Sequence, residues 1–180
     1  TIMSTIKWNI DPVHSQIQFS ARHMVISKIR GEFEQYESWL ETNGEEIENA
    51  TAFFSAVTSS VNTKNKMRDD HLRSDSFFKS EEFPNLIFKS TSLKNKNDED
   101  YVLKGEMTIR DVTRPIELAV EFGGVITDPY GLRRAGFSIS GKLNRKDYGM
   151  VYNDLIEAGG AVVSDEIKLD LHVEFTHQPA

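Results

Sequence analysis

The 180 residues suit a single domain, 1–180, large enough to bury a core without disulfides or a structural metal. Acidic residues outnumber basic ones 28 to 21, and the resulting net charge of −7 argues against non-specific attraction to nucleic acid or to an anionic membrane surface. No stretch approaches the roughly 18 apolar residues of a membrane-spanning helix, and the lack of Cys excludes disulfides, thiolate nucleophiles, iron–sulfur clusters and Cys-type zinc sites.

The opening residues, Thr1 to Trp8, carry neither the basic start nor the apolar run of a secretory signal. The expected location is cytoplasmic for the sequence as it stands, and periplasmic if a leader has been removed. Trp8 and Ile10 suit a short first strand. Ile17, Phe19, Ala21 and His23 then alternate with Gln16, Gln18, Ser20 and Arg22, the period-2 pattern of a strand with one buried face. Less regular alternation predicts strands over 31–41, 47–57 and 86–94, with Asn43-Gly44 as a hairpin signal between the first two. Lys66 to Leu72 lacks alternation and suits a short helix, and Ser80-Glu81-Glu82 opens a brief turn stopped by Pro84.

Beyond the charged loop Asn95 to Asp100 the alternation sharpens. Tyr101, Leu103, Gly105, Met107 and Ile109 form one stripe, and Ile116, Leu118, Val120 and Phe122 the next. After the turn Asp128-Pro129-Tyr130-Gly131 come Phe137, Ile139, Gly141 and Leu143, then a third helical stretch within 145–157. The clearest stripe is the last: Ile167, Leu169, Leu171, Val173 and Phe175 against charged and polar neighbours.

Many short-linked strands without an alternating helix pattern predict an all-β fold with antiparallel neighbours. Runs of 9–11 residues, roughly 30 Å at about 3.3 Å each, favour a closed barrel of about eight strands over a sandwich. Ala21, Gly105 and Gly141 interrupt three bulky stripes. Either they leave unfilled space inside the barrel, or the glycines mark sharp bends.

The order and spacing of several motifs resemble the YceI-like proteins. These motifs are Trp8-x-Ile10-Asp11-Pro12-x-His14-Ser15, Gly31-x-Phe33, Arg68-Asp69-x-His71-Leu72-Arg73-Ser74, Phe83-Pro84-x-Leu86-x-Phe88, Gly105-x-Met107-Thr108-Ile109-x-Asp111-Val112-Thr113-Arg114-Pro115 and Arg145-x-Asp147-Tyr148-Gly149. Asp111 departs from the Gly usual in that family, at a turn where Asp is tolerated. The resemblance implies an extended antiparallel, eight-stranded, lipocalin-like barrel with one to three short helices. It also implies a lengthwise apolar tunnel that binds, carries or sequesters a polyisoprenoid, prenyl-quinone-like or fatty-chain amphiphile without chemistry on it. Ile17, Phe19, Ala21, Leu103, Gly105, Met107, Phe137, Ile139 and Gly141 are the expected lining.

Arg68, His71 and Arg145 are candidates for a polar head group, because the arginine fork donates paired hydrogen bonds to phosphate. For the helix the alternative is local ion pairing, Asp69 with Arg73, and for Arg145 a pair with Asp147. His14, His23, His71, His172 and His177 show no zinc-ligand spacing and read as hydrogen-bonded structural groups, so neither metal nor cofactor is expected. Ser15 beside His14 lacks an identifiable third partner, and no nucleophile elbow is present. The competing functions are a lipid-acting hydrolase or isomerase and a filled barrel serving as an interaction module. The expected partner is a long-chain lipid, and formation of a homodimer is left open.

Overall fold

A computed structural model describes residues 4–23, 27–152 and 163–179, with His23 described by its backbone alone. Strand β1 (Thr5–Ile10) is followed by a 3-10 turn at Pro12–His14 and by β2 (Gln16–His23). Strands β3 (Ser27–Phe33), β4 (Tyr36–Asn43), β5 (Glu46–Val57) and β6 (Val61–Asn62) lead to the helix α1 (Lys66–Arg73). Then come β7 (Asn85–Asn97), β8 (Asp100–Ile109), β9 (Val112–Thr127), β10 (Arg133–Asn144), a 3-10 turn at Arg145–Tyr148 and β11 (Val163–His177). All these strands belong to one antiparallel sheet closed by the pairing of β1 with β11.

The sheet is a closed eight-stranded barrel because its short strands share lanes. β1 and β2 both run antiparallel to β11, the first through Ile10 opposite Phe175 and the second through Ile17 opposite Leu171. The turn at Pro12–His14 interrupts that lane, where Asp11 caps the backbone N–H of Val13 and Pro12 needs no donor of its own. β3 and β4 make the second lane, paired to β2 and β1 respectively. The sequence predicts one strand over 31–41. It divides at Glu34-Gln35, whose N–H groups donate to the Ser60 carbonyl and hydroxyl at 3.2 and 3.0 Å.

Turn chemistry fixes the register elsewhere. The hairpin between β4 and β5 is a two-residue loop with Asn43 opposite Glu46, and Gly44 takes φ 60°. In the β8–β9 turn the left-handed residue is Arg110, φ 57°, so the Asp111 position does not carry that conformation. α1 is the single α-helix among the described residues, capped by Asn65 accepting from the Arg68 N–H. Ser80–Glu82 lies in turns around Lys79 rather than a helix, and 145–148 is 3-10; residues 153–157 of the third expected helix lie outside the described residues.

Aromatic side chains pack near each end of the barrel. At one end Trp8 is fully buried, donates to the Thr42 hydroxyl at 2.8 Å and meets His177 edge-on at 4.3 Å. Above it Arg133 forks onto Glu45 at 2.7 and 2.8 Å, and His177 touches the same carboxylate at 3.2 Å. At the other end Phe77 and Phe78, which follow α1, are buried, with Phe33 edge-on to Phe78.

The Arg133 fork, joined by His177, holds the Glu45 carboxyl at about 2, well below its ordinary 4.5. The contribution of this clasp is therefore complete above the unfolded value and is lost as pH falls from about 4.5 toward 2. Thermal melts should show wild-type protein and Glu45→Gln differing most above pH 5 and converging as pH falls toward 2. A gap that stays constant across that range would show that the carboxylate charge is not what holds the rim.

Candidate functional site: the barrel interior

The inward stripes enclose a cavity of ≈170 Å³. Along β11 its wall includes Ile167, Leu169, Leu171, Val173 and Phe175, a span of roughly 26 Å at strand rise. Volume and length together describe a narrow channel rather than a round pocket. Among the described residues its lining contains no ionisable side chain; Gln18 and Ser38 are the polar members, and the Ser38 hydroxyl donates to the Phe53 carbonyl at 2.6 Å. Apolar walls of this kind give water no hydrogen-bonding partners.

Exposure of the inward residues shows which way the channel opens. Val173 and Phe175 on β11 are buried, as are Ala135 and Phe137 on β10. Toward the other end of the same strands, Leu171, Leu169 and Ile167, and Ile139 and Leu143, are half-buried. The ladder between β9 and β10 runs from Thr127 opposite Arg133 to Ala119 opposite Ser140. Pro115, which has no N–H for a second ladder, lies beyond its end. The channel is thus closed beneath Trp8 and open toward Leu143 and Ile167.

Of the expected lining, Ile17, Phe19, Leu103, Met107, Phe137 and Ile139 face the channel. Ala21, Gly105 and Gly141 do not, and the two glycines leave no empty notch. A methyl group on Gly105 would run into the Lys89 carbonyl and the Phe88 ring, and one on Gly141 into a terminal methyl of Leu118. The large neighbours occupy the space that the missing side chains vacate. Leu169, Leu171 and Leu118 line the channel without having been singled out in sequence; their alternation was plain, but no small residue marked them. Met150 also lines it from a segment without periodicity.

The three head-group candidates lie outside the lining and are held by the protein itself. Arg68 donates to the Thr63 hydroxyl and carbonyl, both at 2.8 Å, while buried Asp69 accepts from the Thr63 N–H at 2.8 Å. Arg73 pairs with Asp70 at 2.9 Å, not with Asp69. His71 packs edge-on against Phe77 and Tyr152, at 5.0 and 4.6 Å between ring centres. Arg145, 2% exposed, donates to the carbonyls of Met150, Tyr152, Val163 and Ser164 at 2.7–3.2 Å. Asp165, not Asp147, is its carboxylate neighbour, at 3.6 Å.

The polar groups suited to nucleophilic chemistry are likewise engaged. The Ser15 hydroxyl accepts from the Glu174 N–H at 3.0 Å, and His14 is bound to Asp11 at 2.7 Å. Ser138, His172 and Asp170 do come together, at 3.2 and 3.3 Å, but on the outer face with His172 and Asp170 more than half exposed. The strand there is paired on both edges, so its backbone N–H groups are committed to ladders rather than to an oxyanion. No group of three or more metal-ligating side chains is found among the described residues.

The chain matches the YceI-like domain over residues 8–175. The chain belongs to the YceI-like family. A UPF0312 protein of Staphylococcus epidermidis is 34% identical over 171 residues, covering 94% of this chain and 97% of that protein. The crystal structure of the Campylobacter jejuni YCEI protein is similar with a TM-score of 0.73 at 30% identity, covering 88% of this chain and 90% of that one. A polyisoprenoid binding domain from Saccharophagus degradans shares the fold, with a TM-score of 0.68 at 17% identity and 97% and 99% coverage.

In this YceI-like chain the Arg145-Lys146-Asp147-Tyr148-Gly149 run is what seats Met150. Gly149 adopts φ 81°, which folds the chain back so that the Met150 carbonyl meets Arg145 and its side chain meets the channel. Arg145→Ala should cost about 3 kcal/mol or more in urea unfolding, because one buried and three half-buried carbonyls lose their donor at once. Arg145→Lys should recover little, since a point ammonium cannot span four acceptors. A loss below about 1 kcal/mol for both variants would mean that the guanidinium is not a structural tie.

Proposed function

We propose that this protein binds and carries, or sequesters, one long apolar chain in the channel, without chemistry on it. The observation that carries this reading is a narrow interior whose wall runs roughly 26 Å along β11 and which, among the described residues, is lined without an ionisable group. Polyisoprenoid, prenyl-quinone-like and fatty chains all meet its requirement for a long hydrocarbon, and the Saccharophagus degradans domain that shares the fold is a polyisoprenoid-binding one. No cofactor or metal enters this account, and the arginines and His71 are assigned to structure rather than to a head group.

Because tail burial is non-directional, selection falls on length. Each buried CH₂ contributes about 0.8 kcal/mol before the cost of ordering the chain. In a series of neutral chains, affinity measured by calorimetry should rise about fourfold per CH₂ until the channel is filled and then level off. Changing the head from alcohol to diphosphate at fixed length should matter less than adding two carbons. Mass spectrometry of an organic extract of the purified protein should show the resident chain. Affinity independent of length but steeply dependent on the head would overturn the proposal.

A further inference from the structure

The outer face beside the open end carries charges that the fold alone does not explain. Lys142 on β10 lies directly opposite Lys168 on β11, and Lys168 lies opposite Ser20 on β2, which in turn lies opposite Arg30 on β3. One cross-strand row thus holds three cations around a serine. One step along, Arg22 lies opposite Lys28. Residues directly opposite in an antiparallel pair have Cα atoms about 4.5–5.5 Å apart, and like charges so placed repel.

Two such pairs occur in a protein whose net charge is −7. All five side chains are exposed, and Arg22, Lys28, Arg30 and Lys168 make no ion pair among the described residues. Lys142 has only Glu166, at 3.9 Å with both side chains more than half exposed. Of the acids nearest the row, Asp170 is turned to His172 at 3.3 Å, and Glu32 lies opposite Gln18.

Guarding an open sheet edge accounts for part of this. β3 is paired on its far side only at Glu32 and Phe33, and charged residues such as Lys28 and Arg30 deter pairing with another chain. Lys168 is paired along both edges, to Lys142 and to Ser20, so that explanation does not reach it, whereas the ladder of β10 to β9 ends at Ser140, short of Lys142. The row borders a broad outer groove that is lined also by Ser20, Ser138, Ser140 and Ala119 and, away from the row, by Glu117, Glu121 and Asp100 with Lys96 beside them. Leu143 and Ile167, at the open end of the channel, each adjoin a lysine of the row in sequence.

We propose that this basic face, Lys142, Lys168 and Arg30 with Arg22 and Lys28, docks the barrel onto an anionic lipid bilayer with the channel's open end toward the lipid. Charge complementarity selects the partner: clustered lysine and arginine side chains are drawn to anionic head groups within a Debye length, while the net negative remainder of the molecule is held off. The acids Asp100, Glu117 and Glu121 on β8 and β9 outnumber Lys96 on that side and set the orientation, keeping it away from the surface. The purpose of such docking rests on the lipid-binding reading, but the docking itself does not. A protein that holds a chain yet ignores vesicles refutes only the docking, and one that binds vesicles with an empty channel refutes only the other reading.

The test is co-sedimentation with vesicles of one part phosphatidylglycerol to two parts phosphatidylcholine at low salt. Wild-type protein should pellet with these vesicles, stay in solution with phosphatidylcholine alone, and be released at about 0.5 M salt. Lys142→Glu combined with Lys168→Glu should weaken binding at least about tenfold, with a melting temperature within a few degrees of wild type because one exposed like-charge pair replaces another. Lys89→Glu combined with Lys104→Glu, an equal charge change on the exposed outer face of β7 and β8, should leave binding within about twofold. Arg30→Glu provides an independent reading should the double variant fold poorly. Absence of binding to anionic vesicles, equal loss in the β7–β8 control, or competition by soluble glycerophosphate at the same site would overturn the proposal.

Discussion

Strand β11 has to satisfy two edges and two faces at once. One edge pairs with β10 from Arg133 opposite His177 to Asn144 opposite Glu166, and the other closes the barrel on β1 and β2. Its inward side chains form the longest wall of the channel, while Lys168 on its outward face joins the basic row. Because the side-chain period is two, a one-residue slip would put Lys168 and Asp170 inside and Leu169 outside. Closure, channel and surface charge therefore stand or fall on one register.

That register is secured from both ends by polar contacts kept out of the channel. Asp11 donates nothing and receives much: the Arg134 guanidinium at 2.7 Å, His14 and the Val13 N–H. Burial alone would raise its pKa, but these hydrogen bonds together hold the carboxyl below its ordinary value. Arg134 also reaches Glu174 on β11 and Asp128 in the β9–β10 turn, at 3.0 and 3.1 Å, so a single side chain ties the first lane to the last two. At the opposite end Arg145 does the equivalent with backbone carbonyls. The interior is left without charge because the charges that fix its shape are used at its ends.

The sequence discloses what repeats and hides what bends. Period-2 stripes place β2, β8, β9, β10 and β11, and the six bulky lining residues Ile17, Phe19, Leu103, Met107, Phe137 and Ile139 follow from them. The lane-sharing of β3 with β4 is not visible, because the break at Glu34-Gln35 depends on Ser60, which lies 25 residues away from Gln35. Gly105 and Gly141 suggest empty volume only while their cross-strand neighbours are unknown; Phe88 and Leu118 fill it. Arg145 is legible as part of a family motif, but its partners are main-chain carbonyls, which no residue type announces. The Lys142–Lys168 opposition is invisible for a similar reason, since only the register of distant strands brings the two together.

The channel between Phe175 and Ile167 is proposed as the seat of a hydrocarbon chain. The most direct measurement is a crystal structure of the protein grown with a neutral long-chain alcohol. One continuous rod of density should run along Leu171, Leu169 and Ile139, with no charged side chain turned toward it. Side chains collapsed into that space, with the alcohol found only in the outer groove or not at all, would contradict it.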